Sequence, residues 1–246
     1  MSRPLVLCYH AISDGWSHLL SVSPQDFERQ LELLIGRGYR PARAEDVLAG
    51  RGRLLHVTFD DAFTSVRAAL PALERLSVPG TVFACSGFAD EGRPLRIPEL
   101  ADDAVARPDE LATMTWDDLR ELADRGIEIG AHTVSHPHLP STSDEDLDRE
   151  LTESKGRIED ELGRPCPLLA YPFGEHDARV RAAAARAGFR AAFGLQPHGS
   201  TWRDRFQLPR VGIWRGEGDS TVAFKTSPAG RSAPVTALRR VRDAFA

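Results

Sequence analysis

The chain has 246 residues, 41% of them hydrophobic and 27% charged, which is enough to bury one substantial core. Its formal net charge of −5 gives no basic footprint for nucleic acid, and no apolar run reaches the length that crosses a bilayer. Cys8, Cys85 and Cys166 show no CxxC spacing, and two of them fall in apolar strand-like runs where buried free thiols are the expected state.

Residues 4–9 form an apolar strand ending at His10, with no signal-peptide region before it, so a cytoplasmic chain without membrane insertion is expected. A polar loop follows over residues 13–21. Ser23-Pro24 opens a helix in which Phe27, Leu31, Leu34 and Ile35 share one face, and Gly36 and Gly38 stop it. Residues 39–42 suit a short edge strand and 44–49 a small helix. Leu54-Leu55-His56-Val57-Thr58-Phe59 is a β-branched and aromatic strand that ends in two adjacent carboxylates, Asp60 and Asp61. A helix then runs to about Leu76, and residues 80–85 form another strand.

From 86 to 115 the chain is rich in Asp, Pro and Gly, with helical hints only around 98–105. So long a connection, leaving the end of a strand, is expected to lie over the active face as a lid or substrate loop. Residues 116–125 read as helix, 127–131 as strand and 143–162 as a long charged helix. Ser143-Asp144-Glu145-Asp146 places acids at the positive end of that helix. Strands are expected at 168–171, 189–193 and 207–213, a helix at 177–187, and a linker with a short basic helix at 235–245.

Strand alternating with helix specifies a mainly parallel sheet with right-handed crossovers. About seven such units without a GxGxxG turn favour an α/β fold closed as a distorted, TIM-like (β/α) barrel over an open sheet. A single domain is expected, with its motif-bearing core over residues 4–213 and a tail over 229–246.

Barrels build active sites where strands end, and four expected strands end in polar or turn-forming residues. These are His10; Asp60-Asp61; His132-Thr133-Val134-Ser135-His136-Pro137-His138; and Tyr171-Pro172-Phe173-Gly174. Adjacent carboxylates at the end of a buried strand repel each other and resist desolvation. A bound cation offsets that cost and divides the labour, one acid holding the ion and the other facing a water. The plain alternative is an Asp capping the next helix. His132 and His136 lack the Glu of HExxH, and Pro137 follows, which argues against a metalloprotease helix. A loop or single turn still brings both imidazoles to one ion, and with a carboxylate they leave coordination sites open.

Thr58-Phe59-Asp60-Asp61, His132-Thr133-Val134-Ser135-His136 and Tyr171-Pro172-Phe173-Gly174 resemble, in family order, three motifs of the polysaccharide deacetylases, carbohydrate esterase family four. The resemblance implies a barrel of about seven strands and metal-dependent N-deacetylation of acetamido sugars such as N-acetylglucosamine. By motif position it implies Asp60 as catalytic base and Asp61, His132 and His136 as ligands of one divalent ion. Zinc is the first expectation; cobalt, nickel and iron(II) accept the same donors. The backbone N–H of Phe173 would fall in the oxyanion hole.

The chain departs from the family pattern in three places. Ala62 stands where the first motif usually continues with Gly, and Ala170 where the third commonly carries an Arg that orients the base. No late Leu-x-His follows Gly174, and His176 and His198 lack its setting. Cys8-Tyr9-His10 resembles the N-terminal Tyr-His of biofilm poly-N-acetylglucosamine deacetylases, which implies His10 as the general acid, protonated at working pH. Arg210 is a candidate for the missing arginine, with a purely structural ion pair as the alternative.

These residues point to a hydrolase that removes acetyl from an N-acetylated amino sugar in a glycan, oligosaccharide or glycoside. In that reading the ion acidifies a water and polarises the acetyl oxygen, Asp60 takes the proton, and His10 protonates the leaving amine. Two alternatives remain: hydrolysis of a non-sugar amide or cyclic imide at the same site, and a non-catalytic metal- or glycan-binding module. The presence of both Asp60 and His10 disfavours the second.

Overall fold

Most strands of this protein are near-continuous apolar runs, the signature of strands buried on both faces. The computed structural model describes residues 3–50, 52–195 and 201–231. Its first half contains β1 (Leu5–Tyr9), β2 (Ala11–Ile12), β3 (Ser21–Val22), α1 (Pro24–Gly36), β4 (Arg40–Pro41), α2 (Ala44–Leu48), β5 (Leu54–Phe59), α3 (Leu70–Leu76), β6 (Gly80–Ala84) and α4 (Ala101–Ala106). Its second half contains α5 (Trp116–Asp124), β7 (Glu128–Ala131), α6 (Asp144–Leu162), β8 (Leu168–Ala170), α7 (Ala178–Arg186), β9 (Ala191–Leu195), β10 (Leu208–Gly212), α8 (Asp219–Thr226) and α9 (Pro228–Arg231).

Around the ring the order is β1-β10-β9-β8-β7-β6-β5, and β5 pairs back onto β1, so seven parallel strands close as a barrel. The closing register runs from Leu5↔Leu55 to Tyr9↔Phe59, while β4 adds to the entering end of β5 through Arg40↔Leu54. Alternate strand residues serve different cores, as the two-residue period requires. Leu5, Leu7, Tyr9, Val57 and Phe59 pack outward with Phe27, Leu31 and Leu34 of α1. Val6, Phe83, Leu168, Phe193 and Leu208 come from five strands and still touch one another, which places them inside the ring. Because every ring strand runs the same way, the residues that follow their C-terminal ends share one rim.

A third cluster caps that rim. Trp16 and Phe63 pack with Leu95, Ile97, Leu100, Ala104 and Leu111 from the long connection after β6. The connection is tied down by bridges Phe63↔Thr113 and Pro94↔Ala112, and by Trp16 Nε1 donating to Asp103. It therefore lies on the expected face, but as a packed cap with its own apolar core.

Four local expectations change. The loop over 13–21 is bounded by a short parallel pair, β2 and β3. No helix starts at the acid pair: Asp61 and Ala62 are left-handed, with φ of 68° and 51°, and a 3₁₀ segment, Thr64–Ala69, precedes α3. The capping alternative for these acids is thereby removed. The strand expected at 189–193 begins two residues later, at Ala191. Helix α8 was not foreseen, and the basic helix expected at 235–245 lies outside the described residues, as does His198. Among the described residues no helix is long and apolar enough to cross a membrane.

Candidate metal centre and active site

The end of β5 delivers the two acids differently. The Asp60 N–H still donates to the Tyr9 carbonyl at 2.9 Å, extending the β1–β5 pairing, whereas the left-handed Asp61 breaks from the strand. Asp61 Oδ1 lies 3.6 Å from His132 Nε2 and 3.4 Å from His136 Nε2. One donor atom from each of the three lies within 4.8 Å of the other two, and all three residues are buried.

Hydrogen bonding settles the state of His132. Its Nδ1 lies 2.7 Å from the Ala170 carbonyl, which only accepts, so Nδ1 carries the hydrogen and Nε2 presents a lone pair. Burial lowers the pKa of His132, and burial followed by its neighbour His132 pushes His136 well down, so both imidazoles are neutral. Burial, then the Asp60 carboxylate, pushes the Asp61 pKa well up. Asp61 Oδ1 and His136 Nδ1 have no hydrogen-bond partner. Asp61 Oδ1 faces the Nε2 atoms of both imidazoles, and a buried acceptor so placed is costly unless a cation sits among them. The donor set, two imidazole nitrogens and a carboxylate oxygen, fits a zinc-type divalent ion.

The loop that carries the histidines is itself unusual. Thr133 and His136 are left-handed, with φ of 70° and 62°, and the His136 N–H donates to Thr133 Oγ1 at 3.0 Å. Glu150, from α6, accepts from the Val134 and Ser135 amides at 2.8 and 2.9 Å and from the Ser135 hydroxyl at 2.6 Å. The sequence reading did not single out Glu150. Its signal is a carboxylate on the apolar stripe Leu147, Leu151, Ser154 and Ile158 of an otherwise charged helix.

Asp60 sits in a separate cluster. Arg210, fully buried on β10, holds it bidentately, Nη1 to Oδ1 at 2.5 Å and Nη2 to Oδ2 at 2.8 Å, and donates to Thr58 Oγ1 at 3.1 Å. Burial alone would raise the Asp60 pKa, but Arg210 and then His132 outweigh it and hold the group below the usual carboxylate range. The Cys8 thiol, kept protonated by burial, adds a contact to Oδ2 at 3.4 Å. All three cysteines are buried and free. Cys8, His10 and Asp60 also approach within 4.8 Å of one another. They do not make a second metal centre, because the Arg210 guanidinium already occupies Asp60 and would repel a cation there.

His10 is 9% exposed, its Nδ1 has no partner, and its ring lies 5.6 Å from that of Trp214. Burial lowers its pKa to about 4 against the opposing pull of Asp60. Phe173, left-handed at φ 57°, stacks on His138 at 3.9 Å and meets His136 edge-on at 4.6 Å. His138 turns away from the acid pair to bridge Glu99 of the cap and Glu175, at 3.1 and 2.9 Å. His176 packs by Tyr171, with 5.0 Å between ring centres. The structure thus gathers Asp60, Asp61, His132, His136 and His10, with Phe173 flanking, and leaves His138 and His176 aside.

A family model for polysaccharide deacetylase matches residues 49–192, a span that excludes both His10 and Arg210. YxkH of Bacillus subtilis, named provisionally a polysaccharide deacetylase, is 25% identical over 218 residues, covering 85% of this chain and 70% of the relative. A Bacillus anthracis protein given the same provisional name has a crystal structure that matches with a TM-score of 0.74 at 25% identity, over 92% of this chain and 69% of that one. IcaB from Ammonifex degensii matches at a TM-score of 0.69 and 20% identity, over 92% of this chain and 98% of that one, a likeness of fold.

Proposed function

The chain belongs to the polysaccharide deacetylase family, and we propose that it hydrolyses the N-acetyl group of an amino sugar with one divalent ion held by Asp61, His132 and His136. The observation that carries this reading is the convergence of two buried imidazole nitrogens on a carboxylate oxygen that has no hydrogen-bond partner, beside a second carboxylate fixed by an arginine. When bound, the ion supplies Lewis acidity, lowering the pKa of water and drawing charge from the acetyl oxygen.

Within this reading Asp60 accepts the proton of the attacking water. Held so far down by Arg210, it is a weak base, suited only to a water already made acidic. Arg210 is its positioning residue and takes the place of the arginine missing at Ala170. The Phe173 N–H, in the turn after β8, donates to the oxyanion. The water oxygen ends in acetate, the C–N bond breaks, and the proton ends on the leaving nitrogen.

His10 delivers that proton. Burial favours its neutral imidazole in the resting site, so in this reading it is loaded during turnover with the proton that Asp60 takes, the two side chains approaching within 4.8 Å. This reading differs from the expectation of an acid already protonated at working pH.

Product analysis by mass spectrometry tests the activity, using the metal-loaded protein with chitooligosaccharides, nucleotide-linked N-acetyl sugars and cyclic imides. Loss of one acetyl group with release of acetate from an amino sugar is expected. Hydrolysis of imides alone would move the chain to the non-sugar reading, and binding without turnover would make it a binding module.

A further inference from the structure

Two of the three metal-facing side chains sit at the ends of one five-residue loop, His132 to His136. Its backbone enters a region that side-chain-bearing residues avoid, at Thr133 and again at His136. Such a conformation persists only where its surroundings over-determine it. His132 is fixed independently, through its Nδ1 bond to the Ala170 carbonyl. His136 has no such anchor: its Nδ1 is unpartnered, and its backbone is held from within the loop by Thr133 Oγ1.

From outside, the Ser86 and Gly87 amides donate to the Thr133 and Val134 carbonyls at 3.1 and 2.9 Å, and Glu150 is the side chain that holds the loop's own amides. One carboxylate oxygen receives the successive amides of Val134 and Ser135, a small concave anion site made of backbone, and the other receives the Ser135 hydroxyl. Glu150 is buried on the apolar stripe of α6, where a carboxylate is costly unless hydrogen bonds compensate it. All three of its bonds go to the histidine loop. A residue serving only helix packing at that position would be apolar.

We propose that Glu150 is a positioning residue for the metal centre, presetting the 132–136 loop so that His136 meets the ion together with His132 and Asp61. The inference rests on the reading of those three residues as metal ligands. Its reach is specific: Glu150 touches neither ion nor substrate, and acts through the backbone between two ligands.

Co(II) titration of the metal-free protein, followed by ligand-field absorption and chelator competition, tests it with four proteins: wild type, His132→Ala, Glu150→Met and Glu150→Gln. Glu150→Met fills the same space without an acceptor and should weaken Co(II) binding about 10–100-fold, as loss of a partner behind a ligand usually does. Glu150→Gln retains an oxygen for the two amides and a donor for Ser135 Oγ, and should stay near the wild-type affinity. Far-UV circular dichroism of the metal-free variants establishes that each is folded. Wild-type affinity in folded Glu150→Met, or equal losses in the Met and Gln variants, overturns the proposal. Should Glu150→Met not fold, Ser135→Ala removes one donor to Glu150 without altering α6, and an unchanged affinity there overturns it as well. If the wild type takes up no Co(II), or His132→Ala binds as the wild type does, the ligand assignment fails and takes this inference with it.

Discussion

The two ends of the barrel treat buried histidine in opposite ways. Toward the entering ends of the strands, His56 has both ring nitrogens engaged, by the Ala42 carbonyl and by Thr81 Oγ1, each at 2.9 Å. On the opposite rim, His10 and His136 are buried almost as deeply, yet each keeps a nitrogen without a partner. Burial lowers the pKa of His56 and of His10 alike to about 4, so titration does not separate the structural histidine from one proposed to act in catalysis. Satisfaction does. Backbone strain follows the same division: five of the six left-handed non-glycine residues among those described, Asp61, Ala62, Thr133, His136 and Phe173, lie on the rim. The sixth, Ser77, merely caps α3. Unmet bonds and strained backbone are tolerated where a ligand is to be gripped, and absent where the barrel only has to hold together.

The largest expected effect sets the two ends against each other in kinetics. His10→Ala should bind the metal normally and lose about two to four decades of kcat, the range for a proton-transfer group, while His56→Leu should keep the wild-type kcat. Steady-state assays on the same substrate check both, and the reverse outcome would break the comparison.

Next in size is Arg210→Met. It leaves the Asp60 charge buried without its partner and should cost about 3–5 kcal/mol in denaturant unfolding at neutral pH. The sign with pH follows from the depressed Asp60 pKa of the native protein. The stabilisation from the pair is present above the ordinary carboxylate pKa and is lost as the pH falls below it toward the depressed native value. The gap between wild type and variant should therefore narrow on acidification.

At the satisfied end, His56→Leu should cost about 1–3 kcal/mol, because the Ala42 carbonyl and the Thr81 hydroxyl lose their partner. The lowered His56 pKa means that the unfolded chain binds a proton the native protein refuses between about pH 6.5 and 4, so native stability falls with pH across that window. The variant lacks this contribution, and thermal melts at pH 7 and pH 4.5 should show its deficit shrinking.

The smallest effect is expected at Ala62, where φ of 51° suits the glycine usual in the family motif. Ala62→Gly should gain about 0.5–1 kcal/mol by relieving the left-handed alanine, measured as a higher Tm of the metal-free protein.

How much of this was legible in the sequence depended on distance along the chain. The ring strands and the rim residues could be read because each motif is local, a strand followed directly by its polar end. The closed barrel followed from the alternation of elements. Arg210 could be named but not assigned, since its role depends on which strands are neighbours, β10 beside β1 and β1 beside β5, an order no local pattern encodes. Glu150 escaped because its partners sit 15 and 16 residues earlier, across the turn between β7 and α6. Helix α8 escaped because its buried residues include Lys225 and Thr226, with Lys225 made tolerable by Glu217 at 2.7 Å. The helix expected to start at the acid pair failed because left-handed geometry was not to be read from an alanine.

The central claim is that neighbouring carboxylates hold different posts, Asp61 on the ion and Asp60 on the water. Measuring bound metal and acetate release together in Asp60→Asn and Asp61→Asn tests it most directly. Asp60→Asn should retain one equivalent of ion and release no acetate, whereas Asp61→Asn should lose the ion and the activity with it. Full metal content in Asp61→Asn with an emptied Asp60→Asn would contradict the assignment.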